Sequence, residues 1–92
     1  MKMSDIGATI QKAEAALRAT AKHLSEQLGD ANNEDAAAIL SFLVNHSFIT
    51  DAALGKMCHI TRENVNRWRN KKVPIGYSHK QVLSQKLSQL FT

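Results

Sequence analysis

Apolar positions in residues 4–28 recur with helical spacing. Ile6, Ile10, Ala13, Leu17, Ala21, Leu24 and Leu28 follow one another at steps of 4, 3, 4, 4, 3 and 4. That average is close to one helical turn, so the seven residues form a nearly straight stripe on one long helix. Ser4 is placed to cap it and Asp5 suits its first turn. Glu14–Arg18 and Lys22–Glu26 are i,i+4 pairs of opposite charge. Gly29-Asp30 reads as a stop. A stripe this regular buries itself against the rest of the chain or against a second copy.

A short polar linker follows, and Asn33 is placed to cap a second helix with Glu34 and Asp35 in its first turn. Ala37, Ile39, Leu40, Leu43 and Val44 make that helix strongly apolar, as a central core helix requires, and it ends near Asn45-His46. Phe48 and Ile49 then turn inward. Ser78 and Gln81 resemble a capping box for a last helix over 79–91, whose apolar face is Val82, Leu83, Leu87, Leu90 and Phe91.

Residues 50–72 have a different rhythm. Leu54 and Cys58 are four apart on one short helix that Thr50 can cap, and Val65 and Trp68 are three apart on another that Thr61 can cap. Ile60 lies in the turn between them. Helices this short bury those five residues only by packing on each other at a steep angle. Pro74 stops the second helix from continuing.

These residues, Leu54, Gly55, Cys58, Ile60, Thr61, Val65 and Trp68 with the tail Arg69-Asn70-Lys71-Lys72 and Pro74, resemble the helix-turn-helix of the phage-repressor and Cro-like transcription regulators. In that family a small residue lets the second helix cross closely, and Gly55 stands at that place; the family's turn usually has Gly at φ > 0, and here the residue is His59, a type enriched in that conformation. The resemblance covers roughly 35–92. Together with the helical stripe of 4–28, it implies an all-α, five-helix domain with a central helix-turn-helix and a long N-terminal helix. It also implies a regulator of transcription, expected to be a repressor, in a bacterial, phage or mobile-element setting. Two parts are expected: 1–30, the long helix and a possible dimerisation arm, and 31–92, the DNA-binding part.

With Val65 and Trp68 facing inward, helical geometry turns Glu63, Asn66, Arg67 and Asn70 outward. Arg pairs with guanine, Asn with adenine, and Glu accepts from cytosine, so this face is fitted to base edges, with Thr61 and Arg62 at the helix start. Thr50, Arg69, Lys71 and Lys72 flank it and suit phosphates. Readers of this type work in pairs on two half-sites. Ile10, Leu17, Leu24 and Leu28 are the expected dimer contacts.

Charge agrees with this reading. The chain of 92 residues carries a formal net +4. Residues 1–46 have four basic and six acidic side chains, whereas 47–92 have eight basic and two acidic, a net +6. Such asymmetry points the second half at a polyanion, here double-stranded DNA. The size suits one domain. With no membrane-length apolar run and no signal-peptide pattern, the expectation is a cytoplasmic protein that does not engage a membrane. One cysteine forms no internal disulfide, and Cys58 reads as a buried thiol. His23, His46, His59 and His79 are not spaced with Cys58 as metal ligands, and no phosphate loop or catalytic pair is present. An enzyme, a metal and a cofactor are therefore not expected. The rival class is a protein-interaction regulator, antiactivator or antitoxin-like, that keeps the helix-turn-helix shape and binds a second protein partner through the stripe.

Overall fold

A computed structural model of the chain describes residues 3–91, without the side chains of Met3 and Ser4. The described residues form an all-α fold with no strand. Its elements are α1 (Met3–Gln27), a 3-10 turn (Leu28–Asp30), α2 (Asn33–Asn45), α3 (Asp51–Cys58), α4 (Arg62–Arg69) and α5 (Tyr77–Leu90). None of these helices is long and apolar enough to cross a membrane.

The core lies where α2, α3, α4 and α5 converge on the second half of α1. Leu28, Leu40, Leu43, Leu54, Val65, Leu83 and Leu87 are its largest fully enclosed apolar members, with Trp68, Ile75 and Phe91 beside them. Leu24, Phe48, Ile49 and Ile60 pack against it from the edge. The Phe48 and Phe91 rings meet edge-on at 5.4 Å. Burying apolar area of this kind is the main favourable contribution to folding, at about 25 cal/mol per Å².

α5 runs antiparallel to α1 and is tied to it by polar side chains. Gln81 Nε2 donates to the Gly29 carbonyl at 2.9 Å, and Ser84 Oγ to the Ser25 carbonyl at 2.8 Å. At the other end Arg18 Nη2 donates to the Leu90 carbonyl at 3.1 Å, and its guanidinium lies over the Phe91 ring. Arg18 thus serves the helix junction, beyond the surface pair with Glu14 that its spacing suggested. Before Arg18, α1 has no cover. Every residue from Asp5 to Thr20 is exposed, and the molecule measures 48 × 22 × 21 Å.

The stripe is therefore divided. Leu28 is completely enclosed and Leu24 is half-buried against the same core, whereas Ile10 is 52% and Leu17 37% exposed. Leu28 has no surface left for a dimer contact. Other local expectations shift by small amounts. α1 already includes Ser4, so that residue sits inside the first turn and not ahead of it. The cap of α2 is Asn32, whose side chain accepts from Asp35 N at 2.7 Å. Asn33 instead uses its Oδ1 to accept from Ile75 N at 3.0 Å, fixing the loop before α5. That helix starts at Tyr77 with Gly76 as its cap, so Ser78 lies inside it and no capping box forms; Gln81 bonds to Gly29 instead. Val82 and Leu90 stay outside the core, 36% and 51% exposed.

Candidate nucleic-acid interface

α3 and α4 are joined by three residues whose geometry is tightly specified. Thr50 Oγ1 accepts from Ala53 N at 3.1 Å and Thr61 Oγ1 from Asn64 N at 3.2 Å, so each hydroxyl caps its helix. His59 adopts φ 58°, ψ 42°, the left-handed conformation the turn requires. That twist brings Ile60 N–H back to the Gly55 carbonyl at 2.9 Å. Gly55 itself has no room for a side chain, because a Cβ there would sit 2.6 Å from the Ile60 carbonyl oxygen. Close approach of the turn to α3 thus depends on glycine.

Val65 and Trp68 bury one side of α4, with the Trp68 ring 5.2 Å from that of His79 on α5. The other side is open. Thr61, Arg62, Glu63, Asn66, Arg67 and Asn70 are all exposed. Their mutual contacts are light and local. Asn70 Nδ2 donates to both the carbonyl and Oδ1 of Asn66 at 3.0 Å, Arg67 leans on Asn64 Oδ1 at 3.5 Å, and Arg62 lies 3.4 Å from Glu63. The Glu63 carboxyl is held below its usual range by its own backbone N–H and then by Arg62, so it presents a negative acceptor at neutral pH. An open concavity of about 590 Å³ lies between this face and the start of α3, lined by Thr50, Asp51, Ala52, Arg62, Glu63, Asn66 and Arg67.

The cations divide into those held by the protein and those left outward. Arg69, expected on phosphates, is instead bonded to Asp51 through two hydrogen bonds of 2.7 and 2.9 Å, and both side chains are mostly enclosed. This pair links the end of α4 to the start of α3. It holds the Asp51 carboxyl below its ordinary range and raises Arg69 further. Lys71 reaches Glu34 on α2 at 3.2 Å but stays exposed. Lys80 and Lys86 donate to the Ala31 and Met57 carbonyls. Among the described residues no salt bridge holds Lys56, Arg67 or Lys72. Lys56 on α3 was not singled out from the sequence, since an isolated lysine carries no pattern.

α4 ends earlier than Pro74 requires. Lys71 takes φ 61°, and Lys72 N–H folds back to the Arg67 carbonyl at 2.9 Å. This left-handed closure satisfies the last carbonyls and sets Lys72 beyond the exposed face. The described residues contain no cluster of His, Cys, Asp and Glu able to hold a metal ion. Cys58 is enclosed, its thiol raised by burial, with Sγ 4.0 Å from the His79 carbonyl.

No family model, curated protein or solved structure matches the chain, so its site is interpreted from its own residues.

Proposed function

We propose that the chain is a sequence-specific regulator of transcription that reads double-stranded DNA with α4. One observation carries the reading. A helix anchored by Val65, Trp68 and the close Gly55 contact turns Glu63, Asn66, Arg67 and Asn70 to solvent on a single face. A helix with its side chains is about 10–12 Å across and fits a major groove about 12 Å wide, and the eight residues of α4 run about 12 Å along it. Arg67 and Asn66 are the residues for guanine and adenine edges, Glu63 for cytosine, and Arg62 and Asn70 act at the two ends of the face. Lys72, Lys71 and Lys56 supply phosphate contacts, and Thr50 offers the exposed start of α3 to the backbone. Arg69 acts through α3, keeping the two helices in register. Bound to a promoter, such a protein represses by occupying it, and its place of action is the cytoplasm.

The second reading, a protein-interaction regulator with the same shape, is favoured by the bare apolar side of α1. Selection of bound duplexes from a randomised DNA library separates the two. The full chain is expected to enrich one short motif, and binding to it should weaken as salt rises. A pool that stays random through successive rounds would remove the DNA reading and leave the protein-interaction one.

A further inference from the structure

α1 is a helix whose apolar side is covered over one half of its length only. Successive residues advance by about 100°, so Ile6, Ile10, Ala13 and Leu17 fall within an arc of about 60°. Ala21, Leu24 and Leu28 continue on the same side. Over that second half the side faces α5 and the core, and Ala21 and Leu28 are completely enclosed. α5 reaches its end at Leu90 and Phe91, level with Arg18. Beyond that level the same side is bare, with Ile6 40%, Ile10 52% and Leu17 37% exposed.

We propose that the uncovered half of α1 is a self-association surface whose occupant is the same half of a second copy, laid antiparallel over residues 6–17. Continuity is the first argument. The covered half of α1 is packed by an antiparallel helix, and a second α1 in that orientation extends the line of α5 from the point where it stops. Shape is the second. In the antiparallel register Ile6 faces Leu17 of the second copy, and Ile10 faces its Ala13, so each large side chain meets its match or a gap. A parallel pair sets Ile10 on Ile10 and Ala13 on Ala13, crowding one layer and leaving the next empty. The flanks are the third. Gly7, Thr9 and Ala16 border the stripe, and nothing lies within 4 Å of the position a Gly7 Cβ would take. Small flanks let the two helices approach closely. Glu14, the charged residue of that border, comes beside Gly7 of the second copy, where its carboxylate stays in water and meets no like charge.

The overlap is about 18 Å long, so it buries less than the roughly 1,200–2,000 Å² of a standard stable interface. The dimer is accordingly weak and concentration-dependent. The proposal stands independently of the DNA reading.

Sedimentation of the full chain over a wide concentration series tests it, with Ile10→Lys alongside. The native chain is expected to pass from monomer to dimer. Ile10→Lys is expected to keep its melting behaviour and to dimerise roughly a hundredfold more weakly, since two buried isoleucines are lost per dimer. Orientation is tested in a Cys58→Ala background by oxidising a mixture of Ile10→Cys and Ala13→Cys chains. In an equimolar mixture the mixed disulfide is expected to exceed either homodimer by well over the twofold that random pairing gives. A native chain that remains monomeric throughout overturns the proposal. So does an Ile10→Lys chain that dimerises as before or unfolds, or cross-linking that favours the Ile10→Cys homodimer.

Discussion

Replacing Gly55 with Ala sets two effects of opposite sign against each other. Alanine gains about 1 kcal/mol over glycine in a helix interior. The added Cβ, however, falls 2.6 Å from the Ile60 carbonyl oxygen and 3.4 Å from the Thr61 carbonyl carbon. Close carbon–oxygen contacts sit at about 3.3–3.6 Å, so the turn must retreat by roughly 0.7–1 Å. The obstructing atom is backbone, and Ile60 N–H is bonded to Gly55 while Thr61 caps α4. Nothing there swings aside as a flexible side chain does. Overpacking of this kind costs about 1–3 kcal/mol. Because the obstructing atom is backbone, the upper part of that range, about 2–3 kcal/mol, applies, and the balance is a net loss of about 1–2 kcal/mol, or a melting temperature lower by about 4–16 °C in a domain of this size. Thermal and urea denaturation followed by far-UV circular dichroism measure it. Gly7→Ala, measured dilute enough for the chain to be monomeric, is the control, because its Cβ meets nothing within 4 Å and the exposed arm then only gains helicity. A Gly55→Ala protein as stable as the native one, or more so, would refute the reasoning about the turn.

The other predictions concern charge and readout. Because Arg69 lowers the Asp51 pKa in the folded state, the pair contributes fully above the ordinary carboxylate range and is lost as pH falls below about 4. Asp51→Asn should cost about 1–3 kcal/mol at neutral pH and flatten the acid limb of a stability–pH curve measured by urea unfolding. Arg69→Ala should destabilise the fold yet leave the slope of log K against log salt unchanged, whereas Lys72→Ala should make that slope shallower by about 0.9 without a change in melting. Asn66→Ala and Arg67→Ala should each cost about 1–3 kcal/mol on the selected motif, relax preference at one position, and leave non-specific binding intact in a titration against random duplex.

Much of the fold was legible because it is written in local chemistry. Thr50 and Thr61 announce helix starts by the orphan N–H groups their hydroxyls satisfy, and both do so. The left-handed turn at His59 and the close crossing at Gly55 were legible through the resemblance to the helix-turn-helix, and the fold has both. The stripe of α1 was legible as a helix face, but periodicity does not say what lies against it. Its division at Arg18 depends on where α5 ends, a property of another segment. Arg69 is the same kind of case. Eighteen residues separate it from Asp51, and only the crossing of α3 and α4 brings them together. The neighbouring basic residues suggested a phosphate contact, but the nearest carboxylate in space decided otherwise. The start of α5 was misread because the helix begins before Ser78, with Gly76 as its cap, and Gln81 reaches across to Gly29.

The outward face of α4 is tested most directly by chemical-shift mapping of the labelled full chain on its selected duplex. The account predicts perturbed amides over 61–72 and around Thr50, with side-chain signals of Asn66, Arg67 and Asn70 moving most and α2 unaffected. Saturable binding that shifts the amides of α1 or α5 and leaves 61–72 in place would contradict it.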